Sequence, residues 1–221
     1  MNDLISRAER FARVCHEGQF RKGKAKEPYT IHLEEVANLV EKWGGKDNAI
    51  AAAWLHDTVE DCPPISLADL ATLFGDEIAG IVAELTDDKS QTKAERKRRQ
   101  VENATKKSND ASLVKLADKT SNVGAIGKSP PADWSLERRL AYLNWANEVV
   151  ERLPLTPKEG LDEFLKRYDI AELDAYDDLG TIRQGENAAL RVIERRAKRL
   201  GASEFKIKQM MLGFMEGAFQ K

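Results

Sequence analysis

Apolar residues recur every three to four positions along nearly the whole chain, and no stretch alternates strictly for long enough to propose a sheet. The pattern predicts an all-α protein. A first helix runs from about Asp3 to Glu17, with Leu4, Ala8, Phe11, Ala12 and Cys15 on one face. The polar segment GQFRKGKAKEP, punctuated by Gly18, Gly23 and Pro28, reads as a loop. A second helix follows Pro28 and stops at Gly44-Gly45, and a third spans about Asp47 to Asp61 through the alanine-rich AIAAAWLHDTVED. Ser66 and Asp69 form a capping-box pattern that opens a helix reaching Phe74, and Gly75 separates it from DEIAGIVAELTDD. A charged helix covers about Lys93 to Lys107, and an apolar one surrounds LVKLADKTSN. After Pro130-Pro131 comes a strongly periodic helix in DWSLERRLAYLNWANEVVERL.

Pro154 and Pro157 mark the best boundary, dividing residues 1–153 from a helical extension over residues 154–221. The extension is expected to hold helices near Lys158–Tyr168, Gln184–Leu200 and Ser203–Gln220, with the acidic AELDAYDDLG as a joining segment. Its role is open: covering the core, forming a homo-oligomer interface and modulating access all fit. A net charge of -2 and a pI near 6.0 lack the basic excess of a general nucleic-acid binder, so no DNA or RNA partner is expected. Cys15 and Cys62 are too few and too unpatterned for a disulfide framework. No signal peptide and no run of eighteen apolar residues is seen, which leads us to expect a soluble cytoplasmic protein with no membrane partner. The amphipathic start carries Asp3 and Glu9 and reads as a packed helix rather than a targeting segment.

The candidate chemistry lies within the apolar segments. His32 sits in YTIHLEEV, the pair His56-Asp57 in AAAWLHDTVED, and Asp118 in SLVKLADKTSN, so this set uses two of the three histidines. Alone, each has an ordinary structural reading, a histidine as a satisfied core residue and an aspartate as a cap or ion-pair member. Together, inside segments that are otherwise buried, they point to a metal, because buried charges cost several kcal/mol unless paired or metal-bound. Two imidazoles and two carboxylates suit one divalent ion, Mn²⁺ or Fe²⁺ better than Ca²⁺. Zn²⁺ is also compatible, although it more often recruits Cys or three His. Helical spacing places His56 with Glu60, Asp57 with Asp61, and Asp118 with Asn122 on shared faces.

The text around these residues resembles the HD-domain metal phosphohydrolases, and more narrowly the hydrolase domain of the RelA/SpoT alarmone enzymes. HEGQFRKGKAKEPYTIHLEEVA, AAAWLHDTVEDC and LVKLADKTSN match that family's motifs in order, and the likeness extends over about residues 4–153. The chain is most similar to the small stand-alone, Mesh1-like alarmone hydrolases. The resemblance implies an all-helical HD domain that uses Mn²⁺ to remove the 3′-pyrophosphate of ppGpp or pppGpp, giving GDP or GTP. It implies His32, His56, Asp57 and Asp118 as metal ligands, with Glu60 and Asp61 orienting or deprotonating the attacking water. Asn122 would act on the ribose or the attacked phosphate. Arg21 and Lys22 would bind the nucleotide, Lys93 (with Arg96) would contact phosphate, and Arg138 and Tyr142 correspond to phosphate- and ribose-proximal positions. Trp134, Trp145 and Leu140 are assigned to packing, His16 to a structural role, and the remaining basic residues of Lys93–Arg99 to a solvated face. KTSN departs from the family's usual wording after the late aspartate, so contacts near Thr120-Ser121 are expected to differ.

Two rival readings keep the machinery and change the substrate, to (p)ppApp or to the 2′-phosphate of NADPH. A third makes the chain a nucleotide-sensing binding protein, against which stands the retention of all four ligands with Glu60 and Asp61.

Overall fold

A computed structural model describes residues 3–177 and 182–199, together with residues 203, 206, 207 and 211. The described residues contain helices and no extended strand, the nearest approach being a single antiparallel bridge between Phe20 and Pro28. In chain order the helices are α1 (Asp3–Cys15), α2 (Tyr29–Lys42), α3 (Asp47–Leu55), α4 (Thr58–Asp61), α5 (Leu67–Phe74), α6 (Asp76–Leu85), α7 (Lys93–Asn103), α8 (Asn109–Lys128), α9 (Leu136–Glu151), α10 (Lys158–Asp177) and α11 (Ile182–Arg199). The all-α expectation holds. The Ser66–Asp69 capping box also forms, with Ser66 accepting from the Asp69 amide and Asp69 accepting from the Ser66 amide. The helix expected over Ser203–Gln220 lies largely outside the described residues.

At the centre stands α3, whose residues Ala49 to Leu55 are all buried. Its run of alanines presents almost no side-chain bulk, which lets α1, α2, α6 and α8 approach it from several sides. A helix apolar all round is the expected signature of such a position. Around it, Leu33, Val36 and Val40 from α2, Ile78 and Val82 from α6, and Val114 and Leu116 from α8 complete one continuous core.

Three boundaries differ from the sequence pattern, the first two for a physical reason that the structure shows. The expected single helix over Asp47 to Asp61 is broken at His56-Asp57. The carbonyl of Ala53, which an unbroken helix would offer to the Asp57 amide, instead meets His56 Nδ1 at 2.7 Å, and Asp57 leaves regular helical geometry at φ -101°, ψ -3°. The second difference is AELDAYD, expected as a joining segment but folded as the last turns of α10. Ala171 and Ala175 turn toward buried surroundings while Glu172 is paired by Arg191 and Arg195, so the acidic face is neutralised rather than left to water. The charged helix α7 also ends earlier than expected, in a 3₁₀ turn over Ala104–Lys106.

Helix α10 packs along α8, and its Phe164 side chain is fully enclosed in the same core as α2 and α3. Truncating a buried phenylalanine removes its transfer free energy and leaves a cavity. Phe164→Ala is expected to lower unfolding free energy by about 3–5 kcal/mol in urea titrations of the full chain. A loss below about 1 kcal/mol would show that α10 unfolds separately from the core.

Candidate active site

The break between α3 and α4 lets two adjacent side chains aim at one point, where consecutive residues of a regular helix would diverge by about 100°. His56 comes from the end of α3, Asp57 from the joint, His32 from the first turn of α2 and Asp118 from the middle of α8. His32, His56 and Asp118 are buried, and each offers a ligand atom within 4.8 Å of the others. Asp57 Oδ2 lies 3.1 Å from His56 Nε2 and 3.6 Å from His32 Nε2, while Asp118 Oδ1 is 3.6 Å from His32 Nε2. Both imidazoles turn Nε2 inward because Nδ1 is engaged elsewhere, by Ser121 Oγ for His32 at 2.8 Å and by the Ala53 carbonyl for His56.

The electrostatics of this cluster favour a cation. Burial disfavours the charged form of His56, yet Asp57 and Asp118 outweigh it and push its pKa up to about 9. His32 is lowered instead, first by burial and further by Arg21 and His56. Both aspartates are held below the ordinary carboxylate range against the opposing effect of burial, Asp57 by His56 and His32, and Asp118 by Lys119 and Lys115. His56 Nε2 is buried and, although close to Asp57, makes no aligned hydrogen bond. An orphaned imidazole nitrogen between two ionised carboxylates fits a divalent ion.

Beside the cluster, Glu60 and Asp61 project from α4. The Asp87 amide donates to Glu60 Oε1 at 2.6 Å, and Lys89 Nζ lies 3.2 Å from Glu60 Oε2 and 2.9 Å from Asp61 Oδ1. Burial, helped by the charge of Asp57, raises the Glu60 pKa despite the Asp87 hydrogen bond. A cavity of about 330 Å³ opens next to these groups, lined among others by Arg21, Lys22, Asp61, Lys93, Asn122 and Tyr142. The loop bearing Arg21 and Lys22 is pinned to the end of α8. Ala25 donates to Ser129 Oγ and Lys24 to the Pro130 carbonyl, and a Cβ on Gly23 would stand 2.1 Å from the Ser129 carbonyl oxygen. Arg21 in turn donates to Ser121 Oγ and to Asn122 Oδ1.

The structure thus gathers Arg21, Lys22, Lys93, Asn122 and Tyr142 on one cavity wall, with the histidine and aspartate cluster beside it. Asn122 bridges the two, donating to Asp118 while accepting from Arg21. Arg138 is turned aside. It pairs with Asp133 at 3.2 Å and stacks 4.7 Å from the Trp134 ring centroid. Arg96 faces away, toward the Gln91 carbonyl and Asp87.

Trp134 packs against the core as assigned, and it also lines the cavity. One assignment changes. Lys97, assigned to a solvated face, lies 4.4 Å from the Trp145 ring centroid and 5.3 Å from that of Tyr142. Burial, with repulsion from Lys93, Lys119 and Arg138, pushes Lys97 down to about 8. His16 is buried, stacked on Tyr29 and joined to Gln19, as a structural histidine would be.

Sequence reasoning missed Tyr29, whose hydroxyl donates to Asp57 Oδ2 at 2.6 Å and whose ring lines the cavity. It is three residues before His32, one helical turn away, and that spacing was the available signal. Lys119 was also missed. It is buried 3.2 Å from Asp118 Oδ2 and over the Trp145 ring, which no local pattern shows.

Comparison with known proteins agrees with this geometry. Residues 8–143 match the family described as HD domain. The Drosophila melanogaster protein named guanosine-3′,5′-bis(diphosphate) 3′-pyrophosphohydrolase MESH1 is 43% identical over 145 residues, covering 65% of this chain and 80% of the relative. Its Homo sapiens namesake is 40% identical over 158 residues, or 71% and 87% of the two chains. A solved structure described as a metazoan ortholog of SpoT that hydrolyzes ppGpp superimposes with a TM-score of 0.71 at 37% identity, covering 77% of this chain and 98% of that one. With an HD-family match over most of its length and MESH1 relatives aligned across four-fifths or more of their own, this chain belongs to the HD-domain family, in the branch of the MESH1 proteins.

Proposed function

We propose that this protein hydrolyses the 3′-pyrophosphate of guanosine alarmones, converting ppGpp to GDP and pppGpp to GTP with release of pyrophosphate, and that its ion is Mn²⁺. The observation that carries the reading is the juxtaposition of a two-histidine, two-aspartate cluster with a cation-lined cavity large enough for part of a nucleotide. The named activity of the MESH1 relatives supports it.

His32, His56, Asp57 and Asp118 would hold the metal. When bound, a divalent ion supplies electrostatic activation of the phosphoryl group and of the attacking water. The reaction joins the water oxygen to the phosphorus attached at the 3′-oxygen and breaks the bond between that phosphorus and the 3′-oxygen. Pyrophosphate departs and the 3′-oxygen takes up a proton. Glu60 is suited to the proton transfers, since a carboxyl of raised pKa can accept a proton from water and return it at neutral pH. The Asp87 amide and Lys89 fix its orientation, and Asp61 shares the same lysine at the cavity wall. Arg21, tethered to α8 by its hydrogen bonds to Ser121 and Asn122, would offer its guanidinium plane to a purine, while Lys22 and Lys93 would face the phosphates. The cations Lys93, Lys97 and Lys119, crowded around Trp134, Tyr142 and Trp145, would be relieved of mutual repulsion by a polyanion.

Purified protein incubated with Mn²⁺ and ppGpp, pppGpp, ppApp or NADPH should release pyrophosphate from the guanosine substrates. Orthophosphate from NADPH alone would replace this reading with a 2′-phosphatase, and no turnover of any of the four would overturn it. Asp118→Ala should abolish Mn²⁺-dependent turnover while far-ultraviolet circular dichroism retains most of the helical signal.

Lys97 gives a pH signature. Its pKa of about 8 makes it cationic at pH 7 and neutral at pH 9, so its attraction for a polyanion fades as pH rises. The ratio of wild-type to Lys97→Met kcat/KM should therefore fall between pH 7 and pH 9, with a midpoint near 8. A ratio independent of pH would remove Lys97 from substrate attraction.

A further inference from the structure

Helix α10 begins beyond residues 8–143, the span matched to the HD domain, yet one of its side chains reaches the metal cluster's surroundings. Arg167 NH1 donates to Glu35 Oε1 at 2.5 Å, and Ser121 Oγ donates to Glu35 Oε2 at the same distance. His32 Nδ1 meets Ser121 Oγ at 2.8 Å and Arg21 NH1 meets it at 3.2 Å. Ser121 and His32 are both buried.

The hydrogen-bond inventory of Ser121 fixes the direction of every contact. A serine hydroxyl has one proton and two lone pairs, an ionised carboxylate only accepts, and a guanidinium only donates. Glu35 is kept ionised, because the hydrogen bonds from Ser121 and Arg167 outweigh the opposing effect of burial. The Ser121 proton is therefore committed to Glu35, and one lone pair receives Arg21. The remaining lone pair can only receive a proton from His32 Nδ1. Imidazole in that tautomer has its Nε2 lone pair turned toward Asp57 and Asp118, as a metal ligand requires.

We propose that Arg167 is a positioning residue for the metal centre, which acts through Glu35 and Ser121 to hold His32 with its proton on Nδ1 and its Nε2 free for the ion. The proposal rests on the reading of His32 as a metal ligand. Local structure supports a dedicated path for the arginine. A Cβ on Gly124 would stand 3.2 Å from Arg167 Cδ and NH1, so α8 is bare where the side chain crosses it. Glu163 receives Arg167 Nε at 2.8 Å and fixes the other edge of the guanidinium. Without Arg167, Glu35 is free to turn or take up a proton, Ser121 is free to donate toward His32, and the imidazole proton is free to move to Nε2, where it blocks coordination.

The test is a titration of the metal-free full chain with Mn²⁺, in which free ion is followed by electron paramagnetic resonance, alongside ¹⁵N spectra of the histidines. Arg167→Met and Ser121→Ala should each weaken Mn²⁺ binding about tenfold, the lower end expected for groups that orient a ligating histidine. The double variant should be no weaker than Ser121→Ala alone, and Arg167→Lys should recover most of the affinity. Wild-type His32 should show the Nδ1-protonated tautomer, with the Nε2-protonated form appearing in Arg167→Met. Tyr168→Phe serves as the control for α10 itself, since it removes the bond to Asn144 without touching Arg167, and it should leave Mn²⁺ affinity unchanged. Wild-type affinity in Arg167→Met would overturn the proposal. So would multiplying losses in the double variant, or an equal loss in Tyr168→Phe. Wild-type protein that bound no Mn²⁺ would instead overturn the metal reading, and the role of Arg167 with it.

Discussion

Two ionised carboxylates, Asp57 and Asp118, are enclosed among helices, and the surrounding structure is organised to make that enclosure tolerable. Each is held charged against burial by neighbouring cations, foremost His56 for Asp57, and Lys119 and Lys115 for Asp118. An unpaired buried charge would cost several kcal/mol, a large part of the stability of a domain this size. The positive charges converge from the end of α3 and from α8, so pairing them fixes how these helices meet. The same demand explains the two buried lysines on α8, Lys115 and Lys119.

Function is assembled outward from this electrostatic centre. The polar groups nearest the cluster are shared between tasks. Asn122 ties Asp118 to Arg21, Ser121 ties His32 to Arg21, and Tyr29 ties Asp57 to the cavity wall. The residues proposed to meet the nucleotide and those proposed to hold the metal are thereby parts of one hydrogen-bonded network, and such networks respond to deletion as units rather than as sums.

Much of this was legible in the chain because the motifs are local. His32 one turn into an apolar helix, HDTVED at the end of an alanine run and Asp118 within LVKLAD are short patterns whose burial follows from their neighbours. What escaped the sequence is of two kinds. The break after Leu55 depends on a side chain taking a backbone carbonyl, His56 to Ala53, and periodicity does not register that competition. The contacts of Lys97, Trp134 and Arg167 are long-range, set by how α7 meets α9, how the segment before α9 borders the cavity and how α10 lies along α8, and a run of charged residues reads the same whether it meets water or an aromatic ring. The acidic end of α10 shows the converse error, since its partners Arg191 and Arg195 lie on the next helix.

The alanine run of α3 carries one more implication. Four of residues 49 to 53 are alanines with no side-chain rotamers, so the segment that delivers His56 and Asp57 meets much of its surroundings nearly backbone against backbone. Rotamer changes can absorb little strain there. Enlarging even one of these methyl groups would shift whole helices rather than a side chain, which makes this stretch intolerant of volume change and ties the precision of the cluster to the stiffness of the main chain.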